Sequence, residues 1–139
     1  MNNYFVVDAS VGIKLFVEEL FSDKAQALFD LLAKNPPAKL FVPDLFYIEC
    51  TNILLKYLRR IGRSLEDTYS DIQDLNSLAL ESFLTKELMK DALILAYEKN
   101  LTAYDGCYAV LAKRLEIPLV TADEQMIKAI NWTIWIGDL

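Results

Sequence analysis

Apolar positions along the chain fall into two alternating kinds of segment: short unbroken runs, and longer stretches with helical spacing. Tyr4-Phe-Val-Val7 is a short run and predicts a buried strand. Asp8-Ala9-Ser10 follows it, with a helical stretch expected through Val17. Ser22 is placed to cap the next helix, in which Ala25, Leu28, Phe29 and Leu32 recur at helical spacing until Asn35-Pro36-Pro37 stops it. Leu40-Phe-Val42 predicts a second strand, and Pro43-Asp44 opens a long helix with Asp44 as its N-cap. Phe46, Cys50, Ile53, Leu54, Tyr57, Leu58 and Ile61 share one face of that helix, and Gly62 ends it.

The second half repeats the alternation. Ser64-x-x-Asp67 resembles a capping box, and Leu65, Ile72, Leu75 and Ala79 form the expected buried stripe behind it. Glu81–Thr85 predicts a short strand, and Leu88, Ala92, Leu95 and Ala96 mark another helix. A helix from near Tyr104 to Leu115, a strand over Ile117–Thr121, a short helix over Glu124–Ile130 and a final strand over Thr133–Ile136 complete the chain. Strands that alternate with helices imply a parallel sheet covered by helices on both faces. The expected fold is therefore α/β: a single domain over residues 1–139, a three-layer α/β/α sandwich with a mostly parallel central sheet of four to five strands.

Composition narrows this picture. At 139 residues and 54% hydrophobic content the chain can bury one core. Its longest apolar runs, such as Ala92–Tyr97, are six residues, too short to span a membrane. Met1-Asn2-Asn3-Tyr4 carries no basic flank and does not read as a secretion signal. Cys50 and Cys107 form no CxxC pattern and read as buried thiols of a reducing cytoplasm.

The absence of histidine removes imidazole-based mechanisms, including Ser-His-Asp triads and His-bearing zinc sites. Any catalysis must rest on carboxylates, hydroxyls, lysines or a bound cation. A net charge of −6 argues against non-specific nucleic-acid binding, but not against a nuclease that carries divalent metal.

The acidic residues supply the candidate chemistry. In an open parallel sheet, ligands bind outside the carboxyl ends of the strands. Asp8 ends the first strand and Asp123 lies just past the Ile117–Thr121 strand. Taken singly, either residue reads as the cap of the helix that follows it. Glu49 and Asp105 interrupt apolar helix faces, where a salt bridge and the helix dipole, respectively, would account for them. Together, four carboxylates on one sheet edge need cations to remain ionised, and all-oxygen ligation selects Mg²⁺ or Mn²⁺, as one or two ions. Such a site suits attack of water on a phosphodiester.

At these residues the chain resembles a known family. Val6-Val-Asp-Ala-Ser-Val-Gly-Ile-Lys14, Val42-Pro-Asp-Leu-Phe-Tyr-Ile-Glu-Cys-Thr-Asn52, Thr102-Ala-Tyr-Asp-Gly-Cys-Tyr-Ala-Val-Leu-Ala112 and Pro118-Leu-Val-Thr-Ala-Asp123 are similar, in order and spacing, to the four motifs of PIN-domain proteins of the VapC toxin group. The resemblance implies a PIN fold and a Mg²⁺- or Mn²⁺-dependent endoribonuclease with a metal site of Asp8, Glu49, Asp105 and Asp123. It implies that Thr121 supports the site and that Ser10 and Asn52 orient ligands or substrate. It also implies an RNA substrate, a small cognate antitoxin and a homodimer. Gly106-Cys107 and Met126 depart from the usual pattern without touching an acid.

An RNA substrate needs a positive track. Lys56, Arg59, Arg60 and Arg63 form the densest basic cluster, roughly 15 Å along their helix from its metal end, and Lys14 is a second candidate. The cluster reads first as a solvated helix C-terminus that complements its dipole. Two other functions remain open: a PIN-fold protein-binding module without catalysis, and an RNA-processing nuclease that is not a toxin. A haloacid-dehalogenase-type phosphatase would need a second Asp where Ser10 stands, and the acidic pair and late lysine of a receiver domain are missing.

Overall fold

The computed structural model describes residues 3–139, so the N-terminal reading of Met1 and Asn2 lies outside the described residues. Five strands form one sheet: β1 (Tyr4–Val7), β2 (Lys39–Pro43), β3 (Glu81–Phe83), β4 (Leu119–Thr121) and β5 (Thr133–Trp135). Their order is β3-β2-β1-β4-β5 and every pairing is parallel. Neighbouring residues on a strand point to opposite faces. Val6 and Val7 of β1, and Leu119 and Val120 of β4, are all fully buried, so the helices cover both faces of the sheet's centre.

The strand order decides where a site can form. The chain runs outward from β1 through β2 to β3, then returns to place β4 and β5 on the other side of β1. The order therefore reverses between β1 and β4, and the carboxyl ends of strands at such a switch point are where sheets of this kind bind ligands. The register Val6↔Leu119 and Val7↔Val120 sets Asp8 opposite Thr121 at that point.

The helices are α1 (Ala9–Gly12), α2 (Ser22–Asp30), α3 (Leu45–Arg60), α4 (Leu65–Ser77), α5 (Met89–Lys99), α6 (Ala103–Leu115) and α7 (Glu124–Ala129). The stretch after β1 is not one helix to Val17; α1 gives way to a 3₁₀ turn over Ile13–Leu15. Phe46, Cys50 and Leu54 of α3 enter the core as expected, whereas Ile61, at its end, is 71% exposed. Cys50 and Cys107 are buried free thiols. Among the described residues no helix is long and apolar enough to cross a membrane.

Several local expectations are corrected by tertiary partners. Ser22 does not cap α2. Phe21, at φ 68°, holds that position, while Ser22 Oγ accepts from Glu19 N at 2.9 Å and donates to Val17 O at 3.2 Å. Asp44 stands at the start of α3 without capping it; its Oδ1 accepts from the Thr85 backbone N at 2.9 Å and from the Thr85 hydroxyl. The Thr85 hydroxyl in turn accepts from Leu45 N at 3.0 Å. These bonds hold the Asp44 carboxyl below its ordinary range and join the ends of β2 and β3. Ser64 does cap α4 through Asp67 N at 3.0 Å. On α4, however, Thr68, Asp71 and Leu75 are buried, while Leu65 and Ala79, toward its two ends, stay exposed.

Close packing of α5 on α6 explains one departure from the motif pattern. A Cβ at Gly106 would stand 2.6 Å from the Ala92 carbonyl oxygen, so only glycine permits this approach. The cost to helix propensity, about 1 kcal/mol relative to Ala, is offset by this close packing of the two helices.

Candidate metal centre

Asp8 leaves β1 at φ −100° and ψ 175° and caps α1, accepting from Val11 N at 3.3 Å. Its Oδ1 also accepts from the Ser10 hydroxyl at 2.5 Å, and its Oδ2 from the Thr121 hydroxyl at 2.5 Å. Ser10 Oγ accepts from Ala122 N at 2.9 Å, and Thr121 Oγ1 accepts from Asp123 N at 3.0 Å. Two hydroxyls therefore lace the ends of β1 and β4 together around one carboxylate. Asp8 is only 4% exposed. Burial pushes its carboxyl up to about 6, with the Ser10, Thr121 and Val11 donors pulling it down and Asp105 pushing it further up.

The other acids reach the same edge from helix starts. Asp105 sits in the first turn of α6, whose cap is Thr102 through Asp105 N at 3.1 Å. Burial raises its carboxyl, and Asp123 raises it further. Asp123 caps α7 through Gln125 N at 2.9 Å. Glu49, half-buried on α3, is raised by burial and by Asp105 and lowered by Tyr108. The capping roles of Asp8 and Asp123 are therefore real and coexist with the clustering. The salt bridge that would account for Glu49 is absent among the described residues; Tyr108 Oη donates to Glu49 Oε1 at 2.7 Å instead.

Asp105 repels both Asp8 and Glu49, and Asp123 repels Asp105. None of these acids joins an ion pair among the described residues. An all-oxygen set with uncompensated charge has the donor chemistry of a hard divalent cation. The side chains do not enclose one as they stand: no three Asp, Glu or Cys groups among the described residues are close enough together to hold an ion. Asp8 is held by three donors, whereas Asp105, Asp123 and Glu49 are only partly buried.

Other sequence-predicted positions divide. Asn52 is exposed on α3 one turn beyond Glu49 and makes no side-chain hydrogen bond among the described residues. Arg59 and Arg60 are exposed in the last turn of α3, while Arg63 is tied to Asp71 at 2.6 Å. Lys14 is corrected. Its side chain is only 8% exposed and its Nζ lies 3.3 Å from Glu19 Oε1. The hydroxyl of Tyr57 donates to the other Glu19 oxygen. A lysine committed in this way cannot present itself to an RNA backbone. Sequence reasoning missed Tyr108 as part of the site. Its signal was a hydroxyl inside the apolar run Cys107–Ala112, one helical turn after Asp105.

The strand order β3-β2-β1-β4-β5, all parallel and covered by helices on both faces, defines the class of the fold, an α/β/α sandwich with acidic residues at its topological switch point. The PIN domain family profile matches residues 5–131, and the chain belongs to this family. Over 126 residues it is 33% identical to Ribonuclease VapC3 of Pyrobaculum aerophilum, spanning 87% of this chain and 90% of that one. The solved structure of PAE2754 from Pyrobaculum aerophilum superimposes with a TM-score of 0.72 at 24% identity, covering 99% of this chain and 94% of the other. A toxin–antitoxin complex from Klebsiella pneumoniae matches with a TM-score of 0.66 at 15% identity, over 94% and 95% of the two chains. The sheet is fully parallel and has five strands, in line with the expected PIN-like sandwich.

Proposed function

We propose that the protein is a divalent-metal-dependent endoribonuclease and the toxin of a toxin–antitoxin pair. The observation that carries this reading is the set of four carboxylates at the switch point of the sheet, with Asp105 repelling Asp8 and Glu49, Asp123 repelling Asp105, and no ion pair to neutralise them among the described residues. The PIN family membership and the similarity to a VapC ribonuclease support it.

In this reading Asp8 and Asp105 are the central ligands of Mg²⁺ or Mn²⁺, and Glu49 and Asp123 complete the site directly or through water. The ion, when bound, polarises the scissile phosphate and makes its water more acidic. Thr121 and Ser10 hold the Asp8 carboxylate in one orientation, so it is ordered before substrate arrives. Cleavage by water leaves 5′-phosphate and 3′-hydroxyl ends. Asn52, exposed one turn beyond Glu49, is a proposed substrate contact. Arg59 and Arg60 are proposed phosphate contacts; neutralising both would flatten the salt dependence of single-stranded RNA binding by about 1.4 in log–log slope.

Partners require uncovered surface. Met89, Leu93, Ile94 and Tyr97 of α5 are between 50% and 88% exposed, which supports binding of a small antitoxin or of a second copy as a homodimer. Two free buried cysteines suit a cytoplasmic protein.

The test is induction of the wild-type protein and of Asp105→Asn in bacterial cells, followed by sequencing of new 5′-phosphate RNA ends. Ends at a few sites with wild type alone establish the nuclease and name its target. The rival, a PIN-fold binding module without catalysis, draws on the open arrangement of the acids. It predicts no new ends from either protein and no uptake of Mn²⁺.

A further inference from the structure

We propose that Tyr108 is a positioning residue of the metal centre, whose buried hydroxyl fixes the Glu49 carboxylate and leaves its second oxygen free for the cation; this rests on the metal-centre reading above. Tyr108 is 1% exposed. Its hydroxyl donates to Glu49 Oε1 at 2.7 Å across 59 residues of sequence. Among the described residues this is the only hydrogen bond joining α6 to α3. Glu49 Oε2 receives no donor from the described residues.

The chemistry of the donor matters. A half-buried glutamate is ordinarily stabilised by lysine or arginine, and an ion pair of that kind would compete with a cation for the same charge. A phenol donates one hydrogen bond and carries no charge. It orients the carboxylate without neutralising it, as partners of metal-ligating groups do. Asp105 precedes Tyr108 by one helical turn, so α6 brings one acid of its own and steadies another helix's acid.

The test measures Mn²⁺ binding by calorimetry for the wild type, Tyr108→Phe, Glu49→Gln and the double variant. Phe keeps the packed ring and removes only the hydroxyl. Tyr108→Phe is expected to weaken binding about 10- to 100-fold, and the double variant to bind no more weakly than Glu49→Gln. Tyr108→Phe with wild-type affinity, beside a weakened Glu49→Gln, overturns the inference and leaves the metal centre standing. An equal further loss in the double variant also overturns it, because Tyr108 then acts other than through Glu49. A wild type that takes up no Mn²⁺ overturns the metal centre and the inference together. If Tyr108→Phe does not fold, the wild type labelled at tyrosine ¹³Cζ decides: the Tyr108 resonance must move on Mg²⁺ addition, and an unmoved resonance overturns the inference.

Discussion

Thr121 and Asp8, 113 residues apart, end neighbouring parallel strands side by side, and the threonine hydroxyl donates to Asp8 Oδ2. Thr121 is fully buried and also accepts from Asp123 N, so one side chain ties together two of the four acids. Replacing it by valine removes both bonds with little change of shape. The expected cost is about 1–3 kcal/mol, larger at pH 8 than at pH 4, because the lost donor favoured the ionised form of Asp8. Urea unfolding at the two pH values checks this; equal costs would show that Thr121 does not support the Asp8 charge.

Asp8 gives a pH dependence of known sign. Its carboxyl titrates near 6 in the folded protein against an ordinary 3.8. The folded state thus holds the proton more tightly than the unfolded one. This contribution to stability is complete below about pH 4 and is lost as pH rises through about 6. Asp8→Asn cannot ionise, so the metal-free variant should be more stable than wild type at pH 8, by up to about 3 kcal/mol. At pH 4 the difference should vanish. Thermal unfolding with chelator present reads it directly, and Mg²⁺ should then stabilise wild type but not the variant.

Asp105 repels Asp8 and Glu49 at once. Asp105→Asn relieves that repulsion, so the Asp8 and Glu49 carboxyls should titrate lower, while the site loses a proposed central ligand. The expected outcome is a folded protein with no detectable RNA cleavage. Circular dichroism and the RNA-end sequencing described above check the two halves. A purified variant that still cleaves would remove Asp105 from the mechanism.

Gly106 separates local propensity from packing. Alanine would favour the α6 helix by about 1 kcal/mol, yet its Cβ would meet the Ala92 carbonyl oxygen at 2.6 Å. Backbone cannot retreat as a flexible side chain would, so Gly106→Ala should destabilise the protein and displace Asp105 from the cluster. Denaturant unfolding and Mn²⁺ affinity should both fall; a more stable variant would show that α5 and α6 can separate at no cost.

Much of the fold was legible because its signals are local. The Tyr4–Val7 run and the apolar spacing of α3 report strand and helix wherever they lie, and Ser64 caps α4 through a residue three positions on. Lys14 was misread for the complementary reason. A lysine one turn past Asp8 looks free in the sequence, and only the fold brings Glu19 and Tyr57 to bury and engage it. Ser22 and Asp44 have the chemistry of helix caps, but Val17 and Thr85 offered partners that local reasoning does not see.

The sequence by itself determined the alternation of strands and helices, the positions of the acids at strand ends and helix starts, and the absence of imidazole chemistry. These depend on periodicity and residue type over short windows. Tertiary structure alone decided the order β3-β2-β1-β4-β5, the burial that lifts Asp8, and the Tyr108–Glu49 and Thr121–Asp8 bonds. The two bonds join groups 59 and 113 residues apart, and the strand order and the burial of Asp8 likewise need segments distant in sequence to pack together. Neither the proximity nor the loss of water that gives it energetic weight is encoded in any local pattern.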